Sequence, residues 1–253
     1  MIDSATVADL IREVAHAEIL PRFNNLVAGQ IREKKPGQLV TEADVEAEKV
    51  LTGRLLDLLP GSSVVGEEAV EGNPGMLTAL ERDGAVWVID PVDGTANFAK
   101  GNPRFAVILA LVVDGVTRRG WIFDPMADRM IIATEGEGAW LGDRRLTVRR
   151  PRPLAEMCGS VKRSAHLTSR VARIGRKGSA AHDYIDLVTD VLDFAHFKRL
   201  MPWDHAAGVL IHAEAGGYGR MMDGKPYRPV ASNGAMLLTS SEGSWRSLHL
   251  LLE

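Results

Sequence analysis

Val86-Trp87-Val88-Ile89-Asp90-Pro91-Val92-Asp93-Gly94-Thr95-Ala96-Asn97-Phe98 is the stretch from which the rest of this chain can be read. An apolar, β-branched run ends in two carboxylates three residues apart, followed by Gly and Thr. The pattern predicts a buried strand that delivers Asp90 to its C-terminal end, then a tight turn into a helix. Pro91 fixes φ and stops the ladder, while Gly94 lets the backbone bend closely. Thr95 falls at the predicted N-cap, which leaves the first helical N–H groups free to face an anion. Two carboxylates for a hard cation beside such a helix start imply metal-assisted phosphoryl transfer.

The remaining composition narrows the class without naming a chemistry. With 253 residues, 45% hydrophobic and 25% charged, the chain suits one large or two modest cores. A net charge of −3 and a pI near 6.2 argue against nucleic acid or an anionic membrane as the main partner. The longest apolar run, Phe105 to Val113, is far short of the roughly 18 residues a spanning helix needs. Met1-Ile2-Asp3-Ser4 shows no secretory pattern, so the expected compartment is the cytoplasm. Cys158 is the single cysteine and reads as a small buried hydrophobe, with no internal disulfide open to it.

Along the chain, Val7, Leu10, Ile11, Val14 and Ala17 recur at helical spacing up to Pro21. A second helix is predicted from Thr41 to Leu59, and a short strand over Ser63 to Val65 leads into Gly66-Glu67-Glu68. After the Asp90 strand come Phe105–Val113, Gly120–Phe123, Met130–Ala133 and Leu146–Arg149, separated by turn signals and read as a mostly antiparallel meander. From Leu154 strands and helices alternate, ending in a helix over Ser241 to Leu252. Two subdomains are expected, 1–150 with most of the candidate ligands and 151–253 with Asp204.

Five acidic positions stand out, and three of them have ordinary explanations in isolation. Asp44 completes a capping box that starts at Thr41. Glu67 and its neighbour Glu68 read as solvated loop charge, and Asp204 as the N-cap of the apolar helix that ends at Gly216-Gly217. Asp90 is different, because a carboxylate closing an apolar strand requires positive charge beside it. Asp93, three residues on, shares that requirement. Competing motifs fail on spacing: there is no EF-hand loop, dinucleotide fingerprint, Walker loop, nucleophile elbow or His-Glu-x-x-His. His205 and His212 lie two helical turns apart and read as surface or core-edge residues rather than ligands.

These residues together resemble the inositol monophosphatase family, a branch of the lithium-sensitive, metal-dependent phosphomonoesterases. Leu39-Val40-Thr41-Glu42-Ala43-Asp44 resembles its first motif and Gly66-Glu67-Glu68 its second. Trp87 to Phe98 is similar to its main signature, and Trp203-Asp204-His205-Ala206-Ala207-Gly208 with Glu214-Ala215-Gly216-Gly217 to its C-terminal one. Gly178-Ser179-Ala180-Ala181 resembles the substrate-side segment, so the likeness runs nearly the whole length.

The resemblance implies an αβαβα layered sandwich of the α+β class and a homodimer that uses two or three Mg²⁺, with Mn²⁺ as a substitute. By the same resemblance, Glu67, Asp90 and the Val92 carbonyl hold a first ion, and Asp90, Asp93 and Asp204 a second. Glu67 also helps hold a third ion through water. Asp44 and Thr95 orient and deprotonate the attacking water, and the Gly94 and Thr95 N–H groups cradle the phosphate. The substrate side comprises Asp93, Gly94, Thr95, Gly178, Ser179, Ala180, Asp204 and the segment Phe197-Lys198-Arg199. An all-oxygen donor set agrees with hard cations rather than zinc.

One position departs from the family pattern. Inositol-specific members carry an acidic residue seven positions before the C-terminal Asp, where this chain has Phe197 followed by two cations. The expected substrate is a small phosphate monoester, first an inositol or related sugar phosphate. Histidinol phosphate and fructose 1,6-bisphosphate are the runners-up. A regulatory binding protein that keeps the fold is the rival from another class; no nucleic acid or membrane partner is expected.

Overall fold

The computed structural model describes every residue except Met1, Ala28, Gly37, Arg163, Ser164 and Glu253. The opening amphipathic segment forms α1 (Ser4–Val14), capped by Asp3, whose carboxylate accepts from the N–H groups of Ala5 and Thr6. It continues through a π turn (Ala15–Ile19) into a 3-10 turn (Leu20–Arg22), where Pro21 ends it. A hairpin of β1 (Ile31–Lys35) and β2 (Gln38–Thr41) enters α2 (Glu42–Leu58). Next come β3 (Ser63–Gly66), α3 (Glu67–Gly72), β4 (Ala85–Asp93) and α4 (Thr95–Ala99). The meander is β5 (Ala106–Val113), β6 (Val116–Asp124), β7 (Arg129–Thr134), β8 (Gly138–Leu141) and β9 (Arg144–Arg145).

The remainder runs β10 (Cys158–Ser160), α5 (Ala165–Thr168), β11 (Arg173–Gly175), α6 (Ala180–Val188) and β12 (Phe194–Leu200). It closes with α7 (Pro202–Glu214), β13 (Tyr218–Met221), β14 (Ser232–Thr239) and α8 (Glu242–Leu252). Among the described residues, β3 to β9 form one sheet in sequence order, and β11-β10-β12-β14-β13 a second.

The layers follow from side-chain alternation. On β4, Trp87 and Ile89 point into one core with α1 and α2, while Val86 and Val88 point into another. That second core holds Tyr184 and Ile185 of α6, Ala207 and Ile211 of α7, and Met236 and Leu238 of β14. On the far face of the second sheet, Phe194 and Leu237 pack with Trp245 and Leu248 of α8 and Leu167 of α5. Helices, sheet, helices, sheet, helices is the αβαβα order the resemblance implied. Both faces of β4 and β5 are covered, which is why both read as unbroken apolar runs. Among the described residues, no helix is long and apolar enough to cross a membrane.

Three sequence readings need correction. Leu146–Arg149 is not a strand: the Leu146 N–H goes to Ala139 O and the Val148 N–H to Ala215 O, so it bridges β8 and the end of α7. Cys158 is half-buried on β10 rather than fully inside. His205 and His212 are core residues, because α7 is the middle layer and lies between two sheets. Its approach to the first sheet is close enough that a Cβ on Gly120 would lie 2.8 Å from Ala207 Cα. That contact sets the height of Asp204 over the sheet.

Burial keeps His212 neutral and pulls its pKa from 6.5 down to about 4. The unfolded chain therefore binds a proton between those values that the folded chain does not, so stability rises with pH across that window and is lost as pH falls through it. We expect His212→Gln to make the acid limb of the stability curve shallower between about pH 6.5 and pH 4. Urea unfolding at stepped pH measures this slope independently of any overall loss of stability. An unchanged slope would show that His212 takes up its proton in the folded state.

Candidate active site

Asp90 and Asp93 owe their common direction to an irregularity in β4. Asp90 pairs with Ile108 and Asp93 with Ala106, so two residues of β4 stand opposite the single Val107. In a regular strand, residues three apart face opposite sides of the sheet. The bulge reverses that relation and brings both carboxylates to one side. Pro91 has no N–H to donate and sits in the bulge. It distorts the ladder rather than ending it, since β4 runs on to Asp93. The Val92 N–H is turned back and donates to Asp90 Oδ1 at 3.1 Å.

The chain then turns sharply. Gly94 has φ +91°, and a Cβ there would lie 2.7 Å from Arg104 O, so both conformation and space require glycine. Gly94, not Thr95, is the N-cap of α4. Thr95 is the first helical residue, and its hydroxyl has two acceptors at 3.0 Å, Asp44 Oδ1 and Val92 O.

Asp44 serves two ends at once. Its Oδ2 accepts from the Thr41 N–H at 2.8 Å and from the Thr41 hydroxyl, the capping box read from sequence. Oδ1 is left for Thr95. The carboxyl is almost fully buried, and burial pushes its pKa up to about 7, with the Thr41 bonds opposing and the charges of Glu68 and Glu67 adding.

Asp204 comes from the other half of the chain. It is the third residue of α7, with Met201 as N-cap and Pro202 first, so it is not the cap expected. One carboxylate oxygen from each of Asp90, Asp93 and Asp204 falls within 4.8 Å of the others. Asp93 is held by the start of α6: its oxygens accept from the Ala180 N–H at 3.1 Å, the Ala181 N–H at 2.8 Å and the Ser179 hydroxyl. Burial, then the charges of Glu67, Asp93, Asp204 and Asp44, pushes Asp90 well above the carboxylate range. Asp204 is driven up in the same way, by burial and then by Asp93 and Glu67. Carboxylates this close and this dry demand positive charge between them. An all-oxygen donor set with spare lone pairs fits a hard divalent cation such as Mg²⁺ or Mn²⁺.

Glu67 stands beside this trio rather than in it. It opens α3, and its Oε1 lies 3.2 Å from Lys34 Nζ, which also reaches Glu68 at 2.6 Å. Neither glutamate is the solvated loop charge that sequence suggested. Burial raises the Glu67 pKa and Lys34 opposes it.

On the substrate side, Gly178, Ser179, Ala180, Lys198 and Arg199 line a cavity of about 260 Å³ whose floor includes Asp93 and Asp204. Phe197 also borders it, but its ring is buried, stacked on Tyr184 at 5.3 Å and 4.8 Å from His205. Asn97 escaped the sequence reading. Its amide donates to Arg104 O at 2.8 Å and Lys177 O at 3.0 Å, which ties α4 to the loop before α6.

Comparisons with known proteins identify the relatives of this chain. The sequence profile of the inositol monophosphatase family matches residues 4–250. A Thermotoga maritima relative named fructose-1,6-bisphosphatase/inositol-1-monophosphatase is 31% identical over 236 residues, covering 88% of this chain and 86% of its own. Among solved structures, a Thermotoga maritima IMPase superposes with a TM-score of 0.83 at 27% identity, over 98% of this chain and 95% of that one. SaIMPase-II, solved with inositol monophosphate bound, superposes at 0.78 and 26% identity, over 96% and 90%.

Glu48 is a second residue that sequence gave no reason to choose. It lies buried on α2, and its two carboxylate oxygens accept from the Glu68 and Ala69 N–H groups, each at 2.8 Å. It thereby anchors the start of α3 and fixes the direction of Glu67. Burial pushes its pKa up to about 7, with the two N–H bonds opposing. Glu48→Gln keeps one acceptor and loses the other, a change of about 1–3 kcal/mol. We expect the variant to need a higher Mg²⁺ concentration for half-maximal thermal stabilisation, because Glu67 is released. A lower melting temperature with unchanged Mg²⁺ dependence would mean that Glu48 only caps α3.

Proposed function

The chain belongs to the inositol monophosphatase family and is a phosphoric monoester hydrolase; we propose that it acts on a small phosphorylated alcohol such as an inositol phosphate, with Mg²⁺. The observation that carries this reading is the convergence of Asp90, Asp93 and Asp204 beside the Thr95–Asp44 pair. In it, Glu67, Asp90 and the Val92 carbonyl hold one ion, and Asp90, Asp93 and Asp204 another, with a third held more loosely through Glu67. Bound Mg²⁺ would supply charge to the phosphoryl oxygens and acidify the attacking water.

The protein's own groups do the rest. Asp44 keeps Thr95 Oγ1 oriented, and with its pKa raised to about 7 it suits proton acceptance near neutral pH. Thr95 accepts and passes on a hydrogen bond from the water, holding it in line with the phosphorus. The Gly94 and Thr95 N–H groups receive the phosphate oxygens at the head of α4. Gly178, Ser179 and Ala180 form the wall against which the alcohol rests. Inositol monophosphate bound to SaIMPase-II supports a ligand of this class.

The reading includes a two-part chain, 1–150 and 151–253, supported by the break between the two sheets after Arg145 and before Cys158. A cytoplasmic homodimer and inhibition by Li⁺ at the Asp90, Asp93 and Asp204 position complete it.

Asp90→Asn and Asp204→Asn should each abolish Mg²⁺-dependent phosphate release from inositol 1-phosphate while the far-UV circular dichroism is kept. Wild-type turnover in either variant sinks the metal assignment. Thr95→Ala should lower kcat far more than it raises KM, because the hydroxyl acts mainly in the transition state. Loss of a local contact alone would instead lower the melting temperature and leave kcat intact.

A further inference from the structure

The cavity beside Asp93 and Asp204 carries more positive charge than one phosphate requires. Arg176, Lys198 and Arg199 all line it, against one further acid, Asp183. Asp93 and Asp204 belong to the cation site, whose ions also take up the charge of the scissile phosphate. Asp183 is half-committed already, since its Oδ2 accepts from the Ser160 hydroxyl at 2.6 Å and burial pushes its pKa up to about 6. The charge of Arg176 opposes that rise, and Lys198 stands on the same lining. Both charges also reach His196 on β12, which burial and then these two cations hold down at about 4.

Arg199 is held there against its backbone preference. It occupies φ +59° at a register shift in β12 between Lys198 and Leu200. A side chain with a Cβ is uncommon in that region, and the position suits glycine. With the Gln38 amide turned to offer its oxygen, Arg199 Nη1 and Nη2 donate to it at 2.7 and 3.1 Å. Those bonds fix the guanidinium at the wall shared with a second cavity of about 440 Å³ lined by Lys34, Glu67 and Trp203. Phe197, on the same strand, offers a buried ring and accepts no hydrogen bond from a hydroxyl.

We infer that the substrate carries a second anionic group on its alcohol half, gripped by Arg199 with Arg176 and Lys198. This rests on the phosphatase reading above and specifies its substrate class. A guanidinium binds a phosphate or carboxylate through paired N–H donors, and the two flanking cations add charge without fixing geometry. This recognition is common to both anions, so the assay separates them.

The test compares kcat/KM for inositol 1-phosphate, fructose 1,6-bisphosphate and 3-phosphoglycerate in the wild type, Arg199→Gly and an Arg176→Gln, Lys198→Gln double variant. One of the two esters that bear a second anionic group should be preferred, and both variants should lose about ten-fold or more on it, with a smaller loss on inositol 1-phosphate. Arg199→Gly should keep or raise the melting temperature, which separates lost recognition from lost folding. Preference for the bisphosphate assigns a second phosphate, and preference for the phosphoglycerate a carboxylate. Equal losses on all three esters, or best turnover of inositol 1-phosphate, would overturn the inference and leave the phosphatase reading standing. No phosphate release from any ester would overturn both.

Discussion

Mutual repulsion of carboxylates is the constraint around which this molecule is organised. Asp90, Asp93 and Asp204 converge within a few ångströms, with Asp44 and Glu67 beside them. No fold gathers such a group without holding each member by something else. The structure does so with backbone N–H groups on one edge of three of them, Thr41 for Asp44, Val92 for Asp90, Ala180 and Ala181 for Asp93, and with Lys34 for Glu67. Each acid keeps lone pairs for the site. The repulsion that remains is what makes the site a cation binder, and it couples local order to metal.

The middle helical layer gives that arrangement its rigidity. α7 brings Asp204 to the sheet bearing Asp90, and α6 delivers its N-terminal N–H groups to Asp93. Beneath them, Tyr184, Phe197 and His205 form a dry stack in which the Tyr184 hydroxyl meets His205 Nδ1 at 3.0 Å. Burial holds His205 down at about 3, so the ring stays neutral and adds no charge beneath the acidic group. A neutral floor under a highly charged surface keeps that charge directed toward the cavity.

Much of this was legible from the sequence because the informative features are local. The apolar run into Asp90, the Thr41–Asp44 box and the Gly216-Gly217 stop depend on neighbours along the chain. What stayed hidden is what depends on packing. Nothing local says that Pro91 makes a bulge and so aligns Asp90 with Asp93, or that Glu48 reaches the start of α3. His205 and His212 read as edge residues because their own helix is not obviously two-sided; only the second sheet makes it so. The capping reading of Asp44 holds through Oδ2, and Oδ1 is left free to meet Thr95.

The short path from Lys198 to Asp204 shows how one segment can carry opposite charges to opposite ends of a site. Arg199, in the left-handed region where β12 loses register with β14, breaks the strand's alternation beside the cavity, and Pro202 then starts the helix that presents Asp204. Regular alternation would point Lys198 and Arg199 to opposite faces of the sheet. A different irregularity acts at Pro91, where β4 itself carries the extra residue and two acids gain a common direction. Both interrupt a ladder beside the site. In the proposed reading the acidic group belongs to the cations and the basic group to the substrate, which gives an anionic ester one orientation along the cavity that Asp93, Asp204 and Arg199 line.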